Sequence, residues 1–242
     1  MKVLLLAGTR EAKKIAWGLV GQGVSAIATL AGATRDPEPL PLPTRVGGFG
    51  GAEGFTAFLQ EVGITAVIDA THPFASRITD RTAAICAARG LPYLQVLRPA
   101  WQAGKGDHWT DIPNPQAAAD IIPATATVFL ATGRQTLAQF AGLEGRRVIC
   151  RQIDPPTAPF PFEGGEFVIS RPPFSVAREE ALFLALGVDW LVVKNAGGAA
   201  SATKLTAARN LGIPVAMIAR PPMPDAPRVQ TPAEALAWVV AL

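Results

Sequence analysis

Histidine is the scarcest side chain able to exchange protons near neutral pH in this chain: His72 and His108 are the only two in 242 residues. His72 stands in Ile68-Asp69-Ala70-Thr71-His72-Pro73-Phe74-Ala75, directly before a proline. Pro73 suits the first position of a helix and pushes His72 out of the α region, which predicts that Thr71 and His72 form a turn after an apolar run. An imidazole in such a turn can shuttle a proton or hydrogen-bond a ligand while neutral, and no carboxylate partner in sequence view chooses between these roles. A histidine satisfied within a helix cap is the structural alternative.

Other segments suggest binding rather than covalent chemistry. Gly8-Thr9-Arg10 follows the run VLLLA, where a glycine permits close backbone approach and the N–H groups of a following helix favour a phosphate. The stretch RVGGFGGAEG carries five glycines between residues 47 and 54, and Gly47, Gly48, Phe49 and Gly50 are read as a loop against a flat or phosphorylated ligand. Lys194, Asn195, Gly197 and Gly198, with Lys204 further on, combine cations, an amide and glycines, a set suited to a carboxylate-bearing substrate. No Cys/His, Ser/His/Asp or HExxH arrangement is present and no pair of acids stands out, so hydrolysis and metal catalysis lack support. Chemistry carried by a bound cofactor remains.

Those residues need a scaffold. Apolar runs at 3–7, 25–30, 65–70 and 92–97 alternate with amphipathic stretches at 10–20, 52–63 and 76–90, the last two closed by Gly63 and Gly90. Residues 98–114 read as a connector. The alternation resumes at 126–131, 134–143, 146–153, 167–170, 175–187, 189–194, 201–212 and 214–219, and ends in a helix, PAEALAWVVAL. Strands alternating with helices predict parallel sheets. Residues 3–16 (VLLLAGTREAKKIA) and 128–141 (VFLATGRQTLAQFA) share one rhythm. The expected architecture is therefore α/β: two doubly wound Rossmann-like parallel-sheet domains with a cleft between them. Residues 1–110 would form an NADP-binding domain and 111–242 a substrate-binding domain. In such sheets ligands lie at the carboxyl ends of the strands, where the candidates above fall, with Lys204 on the helix after the last of them. A fold selecting NAD ends its second strand with Asp or Glu; here LAGATR has no carboxylate before Asp36, and Arg35 is placed to meet a 2′-phosphate, which favours NADPH.

Composition narrows the class further. Hydrophobic residues make up 49% of the chain and charged residues 17%, excluding a disordered chain, and no apolar block is long enough to cross a bilayer. Cys86 and Cys150 have no metal-ligand spacing, which suggests a reducing compartment and a cytoplasmic protein. A net charge of +3 with 16 Arg against 6 Lys suits small anionic ligands, and the lack of a basic stripe argues against nucleic acid. The sequence does not set the number of subunits; a monomer is the default. A non-catalytic NADP(H)-binding regulator of the same fold is the competing reading.

The combination of LLLAGTREA, RVGGFGGAEG, DATHPFA, RPAW, TGRQ, RPPFS, KNAGG with TKLTAAR, and IPVAMIARPP, in this order over nearly the whole chain, resembles the precorrin-6A reductase family of cobalamin biosynthesis, including its cobalt-precorrin-6A members. The resemblance implies an NADPH-dependent oxidoreductase that passes a hydride to a ring double bond of precorrin-6A, giving precorrin-6B. It places Gly8, Thr9, Arg10, Arg35 and the 47–51 loop on the cofactor side, and Thr71 and His72 between cofactor and substrate. Arg134, Ser175, Lys194 and Lys204 would face the tetrapyrrole carboxylates. His72 and Lys194 are the candidate catalytic residues, and no metal is expected. The chain departs from the family pattern at Pro172 and Ala196, where Gly and Ser are more usual.

Overall fold

Val3, Leu4, Leu5 and Leu6 are all buried, and successive side chains enter opposite cores. Such a strand must be covered on both faces, as parallel sheets are. The computed structural model describes residues 1–32 and 38–242, so Arg35 lies outside the described residues. In chain order the strands are β1 (Lys2–Leu6), β2 (Ser25–Leu30), β3 (Thr44–Val46), β4 (Ala66–Asp69), β5 (Tyr93–Val96), β6 (Trp109–Ile112), β7 (Thr127–Leu130), β8 (Arg147–Gln152), β9 (Gly165–Ile169), β10 (Trp190–Lys194), β11 (Val215–Ile218) and β12 (Arg228–Val229). The α-helices are α1 (Arg10–Gly21), α2 (Ala52–Val62), α3 (Ser76–Ala88), α4 (Ala118–Ile121), α5 (Val176–Leu186), α6 (Thr203–Leu211) and α7 (Pro232–Val240).

The strands form two six-stranded sheets, ordered β12-β5-β4-β1-β2-β3 and β6-β11-β10-β7-β8-β9, with every pairing parallel. The first is the Rossmann order 3-2-1-4-5-6, with the strand order reversing between β1 and β4. The second repeats it, with its reversal between β7 and β10. The two doubly wound domains expected from the sequence are therefore both present.

In the first sheet α1 and α7 cover one face through Ile15, Leu19, Ala235 and Val239, while α2 and α3 cover the other through Phe55, Leu59, Ala83 and Cys86. In the second, Phe183 of α5 and Leu205, Ala207 and Ala208 of α6 pack against Phe129, Leu191, Val193, Val215 and Met217. Residues 134–143, expected as an ordinary helix, form 3-10 helix in two pieces joined at a kink, where Phe140 leaves helical geometry (φ −96°, ψ 15°). Leu137, Phe140 and Leu143 are its buried residues.

The sixth strand of each sheet is where the sequence reading fails. β6 lies in the stretch read as a connector; it follows β5 in the chain but pairs with β11. β12 follows β11 but pairs with β5. Each sheet is closed by the strand that chain order would assign to the other. The chain accordingly divides into Met1–Pro99 with Pro221–Leu242, and Ala100–Arg220, rather than at residue 110. The final helix belongs to the first unit because α7 packs on α1, where a Cβ at Gly18 would fall 2.2 Å from Leu236.

Candidate active site

In the first unit the described candidate residues fall at the carboxyl ends of strands, with Gly8, Thr9 and Arg10 after β1, Gly47 to Gly50 after β3, and Thr71 and His72 after β4. The reversal between β1 and β4 is laced by Thr9. Its hydroxyl accepts from Ala12 N–H at 3.2 Å as the N-cap of α1 and donates to Ala70 O at 2.7 Å, so one side chain starts the helix and ties the two turns together.

Beneath the second turn lies a buried carboxylate. Asp69 is 1% exposed, and its Oδ1 accepts from Thr71 N–H (3.0 Å) and the Thr71 hydroxyl (2.7 Å). Its Oδ2 accepts from Thr79 Oγ1 (2.7 Å) and the Tyr93 hydroxyl (3.0 Å). Thr71 is thus spent on holding the turn. His72 Nδ1 accepts from Phe74 N–H at 3.2 Å, so the neutral ring carries its proton on Nε2. Arg98, after β5, pairs with Glu11 in the first turn of α1 at 2.7 Å, compensating a carboxylate that would otherwise oppose an anion at that helix start.

The glycine loop is built around Arg45 and Phe49. Arg45 donates to Gly47 O (2.7 Å) and Gly48 O (2.8 Å) and lies 4.6 Å over the Phe49 ring. Phe49 in turn packs edge-on against Phe55 at 4.8 Å, which makes it the anchor of the loop in the core. Gly8, Gly47 and Gly50 have φ of +139°, +110° and +75°, and a Cβ on any of them or on Gly48 would meet nothing within 4 Å. Backbone at those positions is open to close approach by a flat, phosphate-bearing group, so these residues fit a dinucleotide. Among the described residues no group of His, Cys, Asp and Glu is arranged to hold a metal ion.

In the second unit Arg134, Ser175, Lys194, Asn195, Gly197 and Gly198 also follow carboxyl ends of strands, and Lys204 lies on α6. Lys194 Nζ donates to Thr132 O at 3.2 Å, joining β10 to β7 across this sheet's own reversal. Burial lowers its pKa. Ser175 caps α5, its hydroxyl accepting from Arg178 N–H at 3.3 Å. The Asn195 amide is consumed at both ends by the backbone of Trp101, accepting from its N–H at 2.8 Å and donating to its carbonyl at 3.0 Å. The Trp101 indole donates to Gly198 O at 3.0 Å. Asn195 therefore fastens the segment entering this unit, while Lys204 lies 5.6 Å over the Trp101 ring.

Burial and then the Arg151 charge push Lys204 down to about 8, with Glu179 partly offsetting them. Arg151 and Glu179 form a buried two-pronged pair at 2.7 and 3.0 Å, with the guanidinium 4.3 Å over Phe174. Strand ends of this sheet and the 134–143 segment hold orphaned polar groups: among the described residues, both ends of the Gln152 amide and the hydroxyls of Thr132, Thr136 and Ser170 are buried with no hydrogen-bond partner. Such groups are seldom left unmatched unless something else binds them.

Sequence reasoning missed Asp69, Arg45, Trp101, Arg151 and Glu179. A lone acid closing the buried run AVID was the visible signal for Asp69; the others require knowing which strands are neighbours.

The profile of the family described as Precorrin-6x reductase CbiJ/CobK matches residues 2–240. The chain is 42% identical over 224 residues to a precorrin-6A reductase of Rhodobacter capsulatus, covering 92% of this chain and 89% of that protein. It is 43% identical over 242 residues to one of Rhodococcus erythropolis, covering 98% and 97%. A cobalt-precorrin-6A reductase of Priestia megaterium is 28% identical over 239 residues, with 90% of each chain covered. A solved structure of CobK precorrin-6A reductase superposes with a TM-score of 0.95 at 40% identity, over 100% of this chain and 96% of that one. With a fold, a strand order and a near full-length sequence match in agreement, the chain belongs to the precorrin-6x reductase CbiJ/CobK family.

Proposed function

We propose that the protein is an NADPH-dependent precorrin-6A reductase that delivers a hydride to a ring double bond of the macrocycle to give precorrin-6B. The observation that carries this reading is the identity above 40%, over nearly the whole length, to two precorrin-6A reductases. Identities of 38–43% to reductases so named, against 26–28% to cobalt-precorrin-6A reductases, favour a metal-free macrocycle. NADPH over NADH is supported by the sequence after β2, where Ala31-Gly32-Ala33-Thr34-Arg35 carries no carboxylate before Asp36 and includes an arginine suited to a 2′-phosphate. A cytoplasmic site of action and a monomer belong to the same reading; both cysteines are free and buried.

The dihydronicotinamide supplies the hydride, and the protein supplies binding, orientation and charge. Gly8, the N–H groups of Arg10 and Glu11, and the Gly47–Gly50 loop hold the pyrophosphate and its flanking sugars, with Arg35 assigned to the 2′-phosphate. Thr71 and His72 line the turn between cofactor and substrate. Arg134, Lys194 and Lys204 neutralise substrate carboxylates beside Ser175, Gly197 and Gly198. The orphaned Gln152, Thr132, Thr136 and Ser170 groups support a polar ligand on this side. His72 and Lys194 are the candidates for the proton that completes the reduction: His72 carries one on Nε2, and burial eases its loss from Lys194.

The test is dihydronicotinamide oxidation by purified protein given precorrin-6A. NADPH should be consumed only when the macrocycle is present, and far faster than NADH. Tight NADP(H) binding without turnover would replace the enzyme with a regulator, and equal use of NADH would remove the 2′-phosphate argument.

A further inference from the structure

The Asp69 cluster holds a negative charge with no cation on it. The carboxylate is 1% exposed, accepts four hydrogen bonds from Thr71, Thr79 and Tyr93, and makes no ion pair among the described residues. Arg228, whose charge reaches Tyr93, is committed to Gln95 Oε1 at 3.1 Å and Pro224 O at 2.8 Å. Burial, and secondarily the Asp69 charge, push the Cys86 thiol up to about 12 and the Tyr93 hydroxyl well above its ordinary value. Both neighbours thus stay protonated, which leaves the Asp69 carboxylate as the cluster's one acid.

A buried acid could be conserved in shape by an uncharged polar network. Four neutral donors around an uncompensated carboxylate keep the charge itself, which is costly unless something benefits from it. Its position is informative, because Asp69 closes β4 beside the β1–β4 reversal, where a dinucleotide crosses a sheet of this order. Hydride donation turns a neutral dihydronicotinamide into a cation, and a fixed negative charge favours the cation.

We propose that Asp69 is a buried counter-charge for the oxidised nicotinamide, biasing this site toward NADP⁺ over NADPH and so lowering the cost of hydride release. This rests on the cofactor reading above.

The geometry offers a clean probe. In Asp69→Asn the amide oxygen can still accept both bonds from Thr71, and the amide nitrogen can donate to Thr79 Oγ1 or the Tyr93 oxygen, because hydroxyls reverse direction. The charge goes and the turn stays. The experiment measures Kd for NADPH and for NADP⁺ separately on the intact protein, by fluorescence of bound NADPH and by its displacement. Asp69→Asn should weaken NADP⁺ relative to NADPH by about tenfold, the scale of one unit charge felt through partly screened protein. Thr79→Ser trims a methyl but keeps all four donors and the carboxylate, and should leave that ratio unmoved. Asp69→Ser, which leaves room for a water among the same donors, should repeat the tenfold shift if the asparagine variant fails to fold. Equal weakening of both cofactor forms by the charge-removing variant, or an unchanged ratio, overturns the proposal in favour of a purely structural carboxylate. Wild-type protein that binds neither form overturns the cofactor reading, and the inference with it.

Discussion

Removal of the Glu179 side chain is expected to be the most damaging single truncation of a charged residue in the second unit. Glu179 is 1% and Arg151 8% exposed, and the pair is held by two charge-assisted bonds at 2.7 and 3.0 Å. Glu179→Ala strips both bonds and strands a guanidinium against Phe129 and Phe174, at 5.2 and 4.3 Å from their rings. Breaking a buried pair in this way costs about 3–5 kcal/mol, a large share of the roughly 5–15 kcal/mol that separates folded from unfolded states. Replacing both members with apolar residues of similar volume, Arg151→Met with Glu179→Leu, should return stability to within about 1 kcal/mol of wild type, because no buried charge is then left alone. The assay is urea unfolding in a Trp17→Phe, Trp238→Phe background, so that the remaining Trp101, Trp109 and Trp190, all in this unit, carry the fluorescence, with slopes compared so that midpoint shifts report stability. The pair also acts on Lys204, since loss of the Glu179 charge removes the influence that raises it and moves its titration below about 8. A cost under about 1 kcal/mol for Glu179→Ala, or a double variant as unstable as the single one, would refute the reasoning that an uncompensated buried charge dominates here.

Other perturbations probe the two ligand sides. Because Lys204 titrates near pH 8, it is charged below that pH and neutral above it; KM for the polycarboxylate substrate should climb as pH passes 8, and Lys204→Arg should flatten that climb in a KM–pH profile. A Cβ at position 54 would sit 1.8 Å from the Phe49 carbonyl oxygen, so Gly54→Ala should displace the glycine loop and raise Kd for NADPH at least several-fold in a fluorescence titration. Thr9→Val deletes the α1 cap and the bond to Ala70, and should cost about 1–2 kcal/mol by urea unfolding together with weaker cofactor binding. Asn195→Ala frees the Trp101 backbone and should red-shift Trp101 emission, with a stability loss of about 1–3 kcal/mol from buried polar groups left unmatched.

The sheet interiors were legible in the sequence because a strand buried on both faces reads as an unbroken apolar run, as VLLLA and WLVV do. Of the four edge strands only β9 was, through the run FVIS; β3, β6 and β12 were not. TRV, WTDI and RV are short and largely polar, and nothing in their pattern distinguishes them from loop. Pairing partners are a property of the assembled fold, so the exchange of β6 and β12, and with it the unit boundary, had no local signal. The same limit applies at the site. Strand ends located Gly8, Thr71, His72 and Lys194 at carboxyl edges and Lys204 on the helix that follows, but residue type alone could not show that Asn195 is spent on Trp101, or that the Thr9 and Ser175 hydroxyls serve as caps.

The exchanged strands also invert the order in which the chain can be finished. A nascent polypeptide leaves the ribosome with β5 before β12, and Arg228, which pairs beside Gln95, is 133 residues further along in sequence. The second unit has all its residues once Arg220 is out, whereas the unit that starts the chain waits for its edge strand and for α7. Synthesis runs from the amino terminus, but completion does not: the half made first closes last, and stalled or clipped chains lacking the final segment would hold a finished second unit joined to an open-edged first one.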